Sequence, residues 1–318
     1  MSDSIAIAEP DKPVIFIMGP TASGKTALAS ELYQTGKFEI ISVDSAMVYR
    51  EMNIGSAKPS AEELLQAPHH LIDFLDPKEA YSAANFAHDA KRLINDIHAR
   101  GKMPLLAGGT MLYYKALKDG LANLPQADEA VREKYKIELV EQGIESLYAK
   151  LTLVDPITAE RLHTTDTQRI LRALEVYEVS GKPLSQWHQE QQLDALPNPL
   201  LSIALAPEDR SVLHQRIAKR FDLMMKQGFL QEVENLYQRG DLELDCPSMK
   251  CVGYRQLWMH LSGELSLEEA IERGIIATRQ LAKRQYTWLR SWPDAKWYDP
   301  LQPEQLIAAK STILNFIS

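Results

Sequence analysis

Only two cysteines, Cys246 and Cys251, occur in 318 residues. They are too few and too isolated for a disulfide framework. His214 and His260 raise a zinc alternative, but a C-x4-C pair with no second close pair is more often two small buried residues. Long apolar runs are missing too. None approaches the roughly 20 residues that cross a bilayer, and Met1 to Asp11 has neither the basic nor the apolar region of a leader peptide. A cytoplasmic protein with no membrane association is the expectation. No repeat period is visible. Apolar residues at 45% and charged residues at 25% are the balance of an ordinary globular chain. A net charge of −8 argues against a protein that coats nucleic acid nonspecifically.

One absence is local. Between Glu272 and Asp294 there is no acid, while Arg273, Arg279, Lys283, Arg284 and Arg290 are interleaved with Tyr286, Trp288 and Trp292. Cations track a phosphate backbone and aromatics stack on unpaired bases, so the stretch suits RNA. It equally suits a helix with a solvated basic face and a core-facing aromatic stripe.

What is present begins with Gly19, Pro20, Thr21, Ala22, Ser23, Gly24, Lys25 and Thr26, a complete phosphate-cradling loop. An apolar run, Val14 to Met18, leads in as a strand, and the chain leaves as a helix from Ala27. Backbone N–H groups and the helix N-terminus converge on the anion, Lys25 adds a full charge, and Thr26 can ligate Mg²⁺.

The first 120 residues alternate apolar strands with helical patterns, which predicts a parallel α/β sheet. Strands are expected at Val14 to Met18, Glu39 to Val43, Leu71 to Phe74 and Pro104 to Ala107. Ser60 and Glu63 have the spacing of a capping box, and Phe86, Ala90, Leu93, Ile94 and Ile97 recur at helical spacing. Helices without strands follow over Asp128 to Gln142, Ile144 to Val154 and Asp166 to Ser180. Leu201 to Ala206 then returns as a core strand, and everything after Pro207 is expected to be helical, with Gly228 and Gly240 as C-terminal caps. The fold class expected is a P-loop NTPase-like parallel sheet with an inserted all-helical domain and a helical C-terminal region. Its parts are 1–123, 124–198 and 199–318. Ligands of such sheets sit outside the carboxyl ends of the strands, which places Thr26, Asp44 and Thr110 on one rim.

ATP or GTP is the default occupant of the loop, so a small-molecule kinase is the first hypothesis. Such enzymes normally offer an acid at a strand end to hold Mg²⁺. Pro104 to Ala107 ends in Gly-Gly-Thr without one, and Asp44 and Asp73 remain as candidates.

Asp44 is followed by Ser45-Ala-Met-Val-Tyr49 and Asn53-Ile-Gly-Ser-Ala-Lys-Pro59. With the phosphate loop, Pro68 to Asp73, Gly108 to Tyr113, Asp166 to Tyr177, Arg220 to Met224, Cys251 to Arg255 and Lys283 to Trp288, this series resembles the tRNA dimethylallyltransferase (tRNA isopentenyltransferase) family over nearly the whole chain. The resemblance implies transfer of a dimethylallyl group from dimethylallyl diphosphate to the exocyclic amine of the adenosine 3′ of the anticodon in some tRNAs, with diphosphate released.

On that reading the loop, Gly19 through Thr26, holds the donor's diphosphate, and Lys25, Mg²⁺ on Thr26 and Arg220 stabilise charge building on the leaving group. Without the resemblance, Arg220 reads more readily as a surface ion pair on the Leu213 to Lys226 helix. Asp44 is the implied general base, with a helix-capping or Mg²⁺-organising Asp as the alternative. Ser45 and Thr110 orient the base or the donor. The resemblance places tRNA contact at Asp44, Ser45, Ala46, Met47 and Thr110. It adds Gln168, Arg169, Ile170, Leu171 and Arg172, then Lys250, Cys251, Val252, Gly253, Tyr254 and Arg255. The third segment is Ala282, Lys283, Arg284, Gln285, Tyr286, Thr287, Trp288 and Leu289, and Arg132 joins it. Arg169 and Arg172 share a helix face, yet Asp166 and Glu175 could pair them. Many relatives carry Gln where this chain has Met47, and Thr where it has Ser56. A monomer is expected. Prenylation of a free adenine nucleotide and a nonenzymatic RNA-binding module are the competing functions.

Overall fold

The computed structural model describes residues 11–122, 124–190 and 194–318. The expected boundary at Asn123 and the acidic start up to Pro10 lie outside them. The chain forms two compact units. One comprises Met1–Lys118 with Leu196–Ser318, and the other is Asp119–Ala195.

The first unit is built on six parallel strands. In chain order they are β1 (Val14–Met18), β2 (Phe38–Val43), β3 (His69–His70), β4 (Met103–Gly108), β5 (Leu200–Leu205) and β6 (Lys296–Tyr298), arranged spatially as β3-β2-β4-β1-β5-β6. Parallel strands need crossover helices on their faces, and β1 shows the result: all five of its residues are buried. Val14, Phe16 and Met18 enter one apolar cluster, and Ile15 and Ile17 the other. Helices α1 (Lys25–Tyr33), α2 (Ala61–Gln66), α3 (Ala83–Ala99) and α4 (Met111–Asp119) follow the early strands. Ser60 and Glu63 make a reciprocal capping box on α2. Phe86, Ala90, Ile94 and Ile97 bury the face of α3 that the periodicity predicts. Burying three such large side chains at about 1.5–3 kcal/mol each outweighs the roughly 1 kcal/mol of a cap, so packing holds this helix.

Two expectations fail. Leu71 to Phe74 is not a strand: pairing with β2 stops at His70, and Leu71 and Asp73 have φ of 61° and 60°, which breaks extended backbone. The segment after Pro207 is not wholly helical. A three-residue strand, β6, pairs its Lys296, Trp297 and Tyr298 with Ile203, Ala204 and Leu205.

The second unit contains α5 (Glu129–Val154), α6 (Pro156–Arg161), α7 (Thr167–Ser180) and α8 (Leu184–Glu190). Gly143, at φ 78° and ψ 172°, divides α5 into the two helical runs expected from the sequence. Tyr135, Leu147, Leu151, Ile170 and Ala173 form its core.

Back in the first unit, α9 (Arg210–Lys226), α10 (Phe229–Gln238), α11 (Tyr254–Leu261), α12 (Leu267–Arg290) and α13 (Pro303–Phe316) complete the chain. Gly228 and Gly240, at φ 100° and 72°, stand just past the ends of α9 and α10. Among the described residues no helix is long and apolar enough to cross a membrane.

Candidate active site

Strand order reverses at β1, and the loop from Gly19 to Gly24 sits at its carboxyl end, where α/β sheets take their ligands. Gly24 has φ 89°, a left-handed conformation that lets the loop turn directly into α1. Gly108 closes β4 at a point where a Cβ would lie 2.1 Å from the Val43 carbonyl oxygen, so only glycine lets the ends of β2 and β4 stay paired.

The loop borders a cavity of about 1460 Å³. Lys25 Nζ donates to the Pro20 carbonyl at 2.7 Å and lies 3.5 Å from Ser23 Oγ. Burial pushes the Lys25 ammonium down to about 8, with Asp44 opposing and Arg220 reinforcing the shift. Asp44 follows β2 on the same rim. Its Oδ1 accepts from the amides of Ala46 at 2.8 Å and Met47 at 3.2 Å, while no bond to Oδ2 is found among the described residues. Burial raises the Asp44 carboxyl above the ordinary aspartate value. The two turn amides, Lys25 and Arg220 pull it back. Arg220, from α9, is lowered by its own burial and held up by Asp44. Two cations and one carboxylate from three separate elements thus act on one another in one cavity.

The capping role weighed for Asp44 is present in one oxygen. The other remains available to a ligand. Thr26 exposes its side chain to the cavity from the first turn of α1. Thr110 Oγ1 accepts from the Ser45 amide at 3.1 Å and reaches Ser45 Oγ at 3.4 Å, so these two fix each other. Ile217, Phe221, Met224, Leu281 and Trp288 give the cavity an apolar wall.

Of the other sequence-predicted residues, Thr21, Ala22, Ser23, Ala46, Met47, Lys250, Cys251, Val252, Tyr254 and Arg284 also line the cavity. Several others do not present their side chains to a ligand. Ala282, Tyr286 and Leu289 are buried in the core, with Tyr286 Oη donating to the Pro207 carbonyl at 2.6 Å. Their expected contact with RNA is corrected to packing, because the core-facing stripe of α12 runs through them. Gln285 is also buried, but as a tie. Its Oε1 accepts from the Thr21 amide and its Nε2 donates to the Gly109 carbonyl, both at 2.9 Å. Tyr254 is fully buried, and its hydroxyl donates to Glu232 Oε1 at 2.5 Å. Gly253 is buried at the start of α11, while Lys283, Thr287 and Arg255 are exposed.

In the helical unit, Ile170 lies in the core, so its side chain is not a surface contact, while Leu171 is half-buried. Arg172 pairs with the buried Glu175 at 2.9 Å, which is the alternative the spacing left open, and Arg132 Nε pairs with the same carboxylate at 3.0 Å. Gln168 and Arg169 are exposed, with Arg169 4.0 Å from Asp166.

Sequence reasoning missed Glu232. Its Oε2 accepts from the amides of Asn53 at 2.9 Å and Ile54 at 2.7 Å, and its Oε1 from Gly55 at 3.1 Å. It also missed the buried Lys58, which donates to the Tyr49 carbonyl, Asn53 Oδ1 and Asp73 Oδ1. Asp73 thereby pairs with Lys58, and it does not stand at a strand end, since β3 stops at His70. These contacts hold the cavity-lining loop from Asn53 to Pro59. No local pattern reveals them, since Glu232 lies 178 residues from Ile54. Cys251 and Cys246 are free and pack on the cluster around Phe229 and Tyr254. Burial pushes the Cys251 thiol up to about 12. Among the described residues no group of three or more His, Cys, Asp or Glu could hold a metal ion.

Comparison with known proteins fits this geometry to a family. The model of the family described as IPP transferase matches residues 47–292. Over 307 residues the chain is 56% identical to a tRNA dimethylallyltransferase of Ralstonia pickettii, covering 94% of each. The full-length tRNA isopentenylpyrophosphate transferase of Bacillus halodurans superposes with a TM-score of 0.70 at 36% identity, over 96% of this chain and 97% of that one. A eukaryotic dimethylallyltransferase acting on tRNA superposes with a TM-score of 0.75 at 30% identity, over 91% of this chain and 74% of that one. A family model spanning most of the chain and relatives matching it nearly end to end lead to one conclusion: this chain belongs to the IPP transferase family.

Proposed function

We propose that the chain transfers a dimethylallyl group from dimethylallyl diphosphate to the exocyclic amine of the adenosine 3′ of the anticodon in a subset of tRNAs, releasing diphosphate. The observation that carries the reading is the meeting of Lys25, Arg220 and Asp44 in one cavity that also has an apolar wall. The phosphate loop and two cations suit a diphosphate. Ile217, Met224, Leu281 and Trp288 suit a five-carbon alkyl group, which no NTP-hydrolysing site requires.

The bond that breaks joins the allylic carbon to a diphosphate oxygen, and the bond that forms joins that carbon to the adenine nitrogen. Charge grows on the leaving oxygen, so Lys25 and Arg220 stabilise the transition state more than the ground state. One such donor is worth about 3 kcal/mol, against at most about 1 for the α1 dipole, so Lys25 matters more than the helix end. The amine proton passes to Asp44 Oδ2, while the Ala46 and Met47 amides on Oδ1 keep the carboxylate in place. The Thr26 hydroxyl, exposed to the cavity from the first turn of α1, would hold Mg²⁺ beside the diphosphate. When bound, the ion would supply Lewis-acid charge for diphosphate departure. Arg284, Trp288 and Lys250 on the cavity, with the exposed Lys283, Arg255, Arg169 and Gln168, are the side chains assigned to RNA.

The test is nucleoside mass spectrometry of tRNA incubated with the protein, Mg²⁺ and dimethylallyl diphosphate. A dimethylallyl-adenosine is expected, and Asp44→Asn should slow the chemical step by about a hundredfold to ten-thousandfold with tRNA affinity little changed. Stoichiometric ATP turnover, or free nucleotide accepted as well as tRNA, would defeat the assignment.

A further inference from the structure

Helix α12 borders two cavities. Thr278, Leu281, Arg284 and Trp288 line the large cavity. Ile276, Arg279, Gln280 and Lys283 line a second pocket of about 380 Å³ shared with α9. Arg210 and His214 close it from α9, and its floor is apolar, made by Leu213, Ala282 and Tyr286. No carboxylate lines it.

The cations of this pocket lack the acids that pair some others in the unit. Arg100 is paired with Glu39, and Arg239 with Glu51, Asp76 and Asp241. By contrast, Arg210, Arg279 and Lys283 form no ion pair among the described residues. Arg210 lies over the Tyr286 ring, 5.2 Å from its centroid. Asp209, its neighbour, spends its oxygens on the amide and hydroxyl of Ser211. Arg279 Nε is buried and has no hydrogen-bond partner. A buried donor left unmet is costly and uncommon, and here it adjoins two further cations over an apolar floor. An anion with an attached apolar surface answers both features.

We infer that this pocket binds a phosphodiester of the RNA substrate, with the adjoining sugar or base resting on the exposed Ile276 at the edge of the apolar floor. Inorganic phosphate would gain nothing from that floor, whereas a nucleotide covers it. The position agrees: a helix is about 10 Å across, so a strand that places one base in the large cavity can lay a flanking phosphate over the other side of α12. This inference rests on RNA being the acceptor, and it assigns Arg210, His214 and Arg279, which lie outside the three segments expected to touch tRNA.

The experiment is anisotropy titration of a labelled anticodon stem-loop against the full chain across a series of KCl concentrations. Arg210→Gln and Arg279→Met should each lower affinity roughly tenfold to a hundredfold. Each should also flatten the salt dependence by about 0.7 to 0.9 of a unit of slope. Arg279→Lys should restore the slope, since the charge returns. Arg279→Met should melt no lower than the parent, because it removes an unmet donor, and Arg210 is exposed, so Arg210→Gln keeps the fold. If both variants bind with parental affinity and slope while the parent still prenylates tRNA, the pocket assignment falls and the function stands. A parent that neither binds nor modifies the RNA takes both down. Inorganic phosphate held by the parent and lost in the variants, with RNA binding unchanged, would make this a small-anion site and overturn the RNA assignment.

Discussion

Glu232→Gln is the sharpest test of how the cavity is held open. The carboxylate accepts four hydrogen bonds, two at each oxygen: Asn53 and Ile54 amides at Oε2, and the Gly55 amide with Tyr254 Oη at Oε1. An amide keeps one acceptor oxygen. Whichever way it is placed, its NH₂ faces two donors. The less costly orientation puts the NH₂ toward Gly55 and Tyr254, because the tyrosine hydroxyl can reverse and accept. The Gly55 backbone bond is then lost, the Tyr254 hydroxyl bond is reversed, and charge assistance disappears from the rest. At about 1.5–3 kcal/mol for a hydrogen bond to a charged group, the net loss is about 2–4 kcal/mol. Amide hydrogen exchange at Asn53, Ile54 and Gly55 reads this locally, and protection there should fall roughly 30-fold to a thousandfold. Transfer should fall with it, since Asn53, Ile54 and Gly55 line the cavity. Unchanged exchange at all three amides would refute the claim that Glu232 holds the loop.

Three further outcomes follow from the same geometry. Activity as kcat/KM should be bell-shaped in pH: Asp44 must be ionised and its carboxyl is raised, so the acid limb lies above 3.8, while Lys25 must be charged and loses its proton as pH rises through about 8. Activity undiminished up to pH 10 would exclude the role of Lys25, and an acid limb at or below 3.8 would exclude that of Asp44. Gln285→Leu leaves the Thr21 amide and Gly109 carbonyl without partners and should cost about 2–4 kcal/mol in urea unfolding while raising the donor KM; a change under about 0.5 kcal/mol would mean the tie is idle. Glu175→Ala strips Arg132 and Arg172 of their shared acid and should destabilise the helical unit by about 2 kcal/mol. That is below the 3–5 of a fully buried pair, since both arginines keep water contact, and unchanged protection of α7 amides would contradict it.

What the amino-acid sequence settled by itself was local. The phosphate loop with its flanking strand and helix, the capping box of Ser60 and Glu63, the buried face of α3 and the break at Gly143 all rest on neighbours within a few residues, where spacing and backbone preference act directly. Asp44 was legible for the same reason, as an acid at the end of an apolar run. The tertiary structure decided what depends on distant partners. Three residues of β6 carry no periodicity, and they are a strand because β5 offers an open edge. Leu71 to Phe74 looks apolar enough for pairing, yet two positive φ angles end the ladder at His70. Which residues of α12 face RNA could not be read from an acid-free interval that interleaves cations and aromatics. The core took Ala282, Tyr286 and Leu289, Gln285 turned inward to Thr21 and Gly109, and Arg284 and Lys283 were left on opposite cavities. Glu232 and Lys58 gave no signal at all, because a carboxylate or an ammonium takes its meaning from the backbone groups it meets, and those groups meet only in the folded chain.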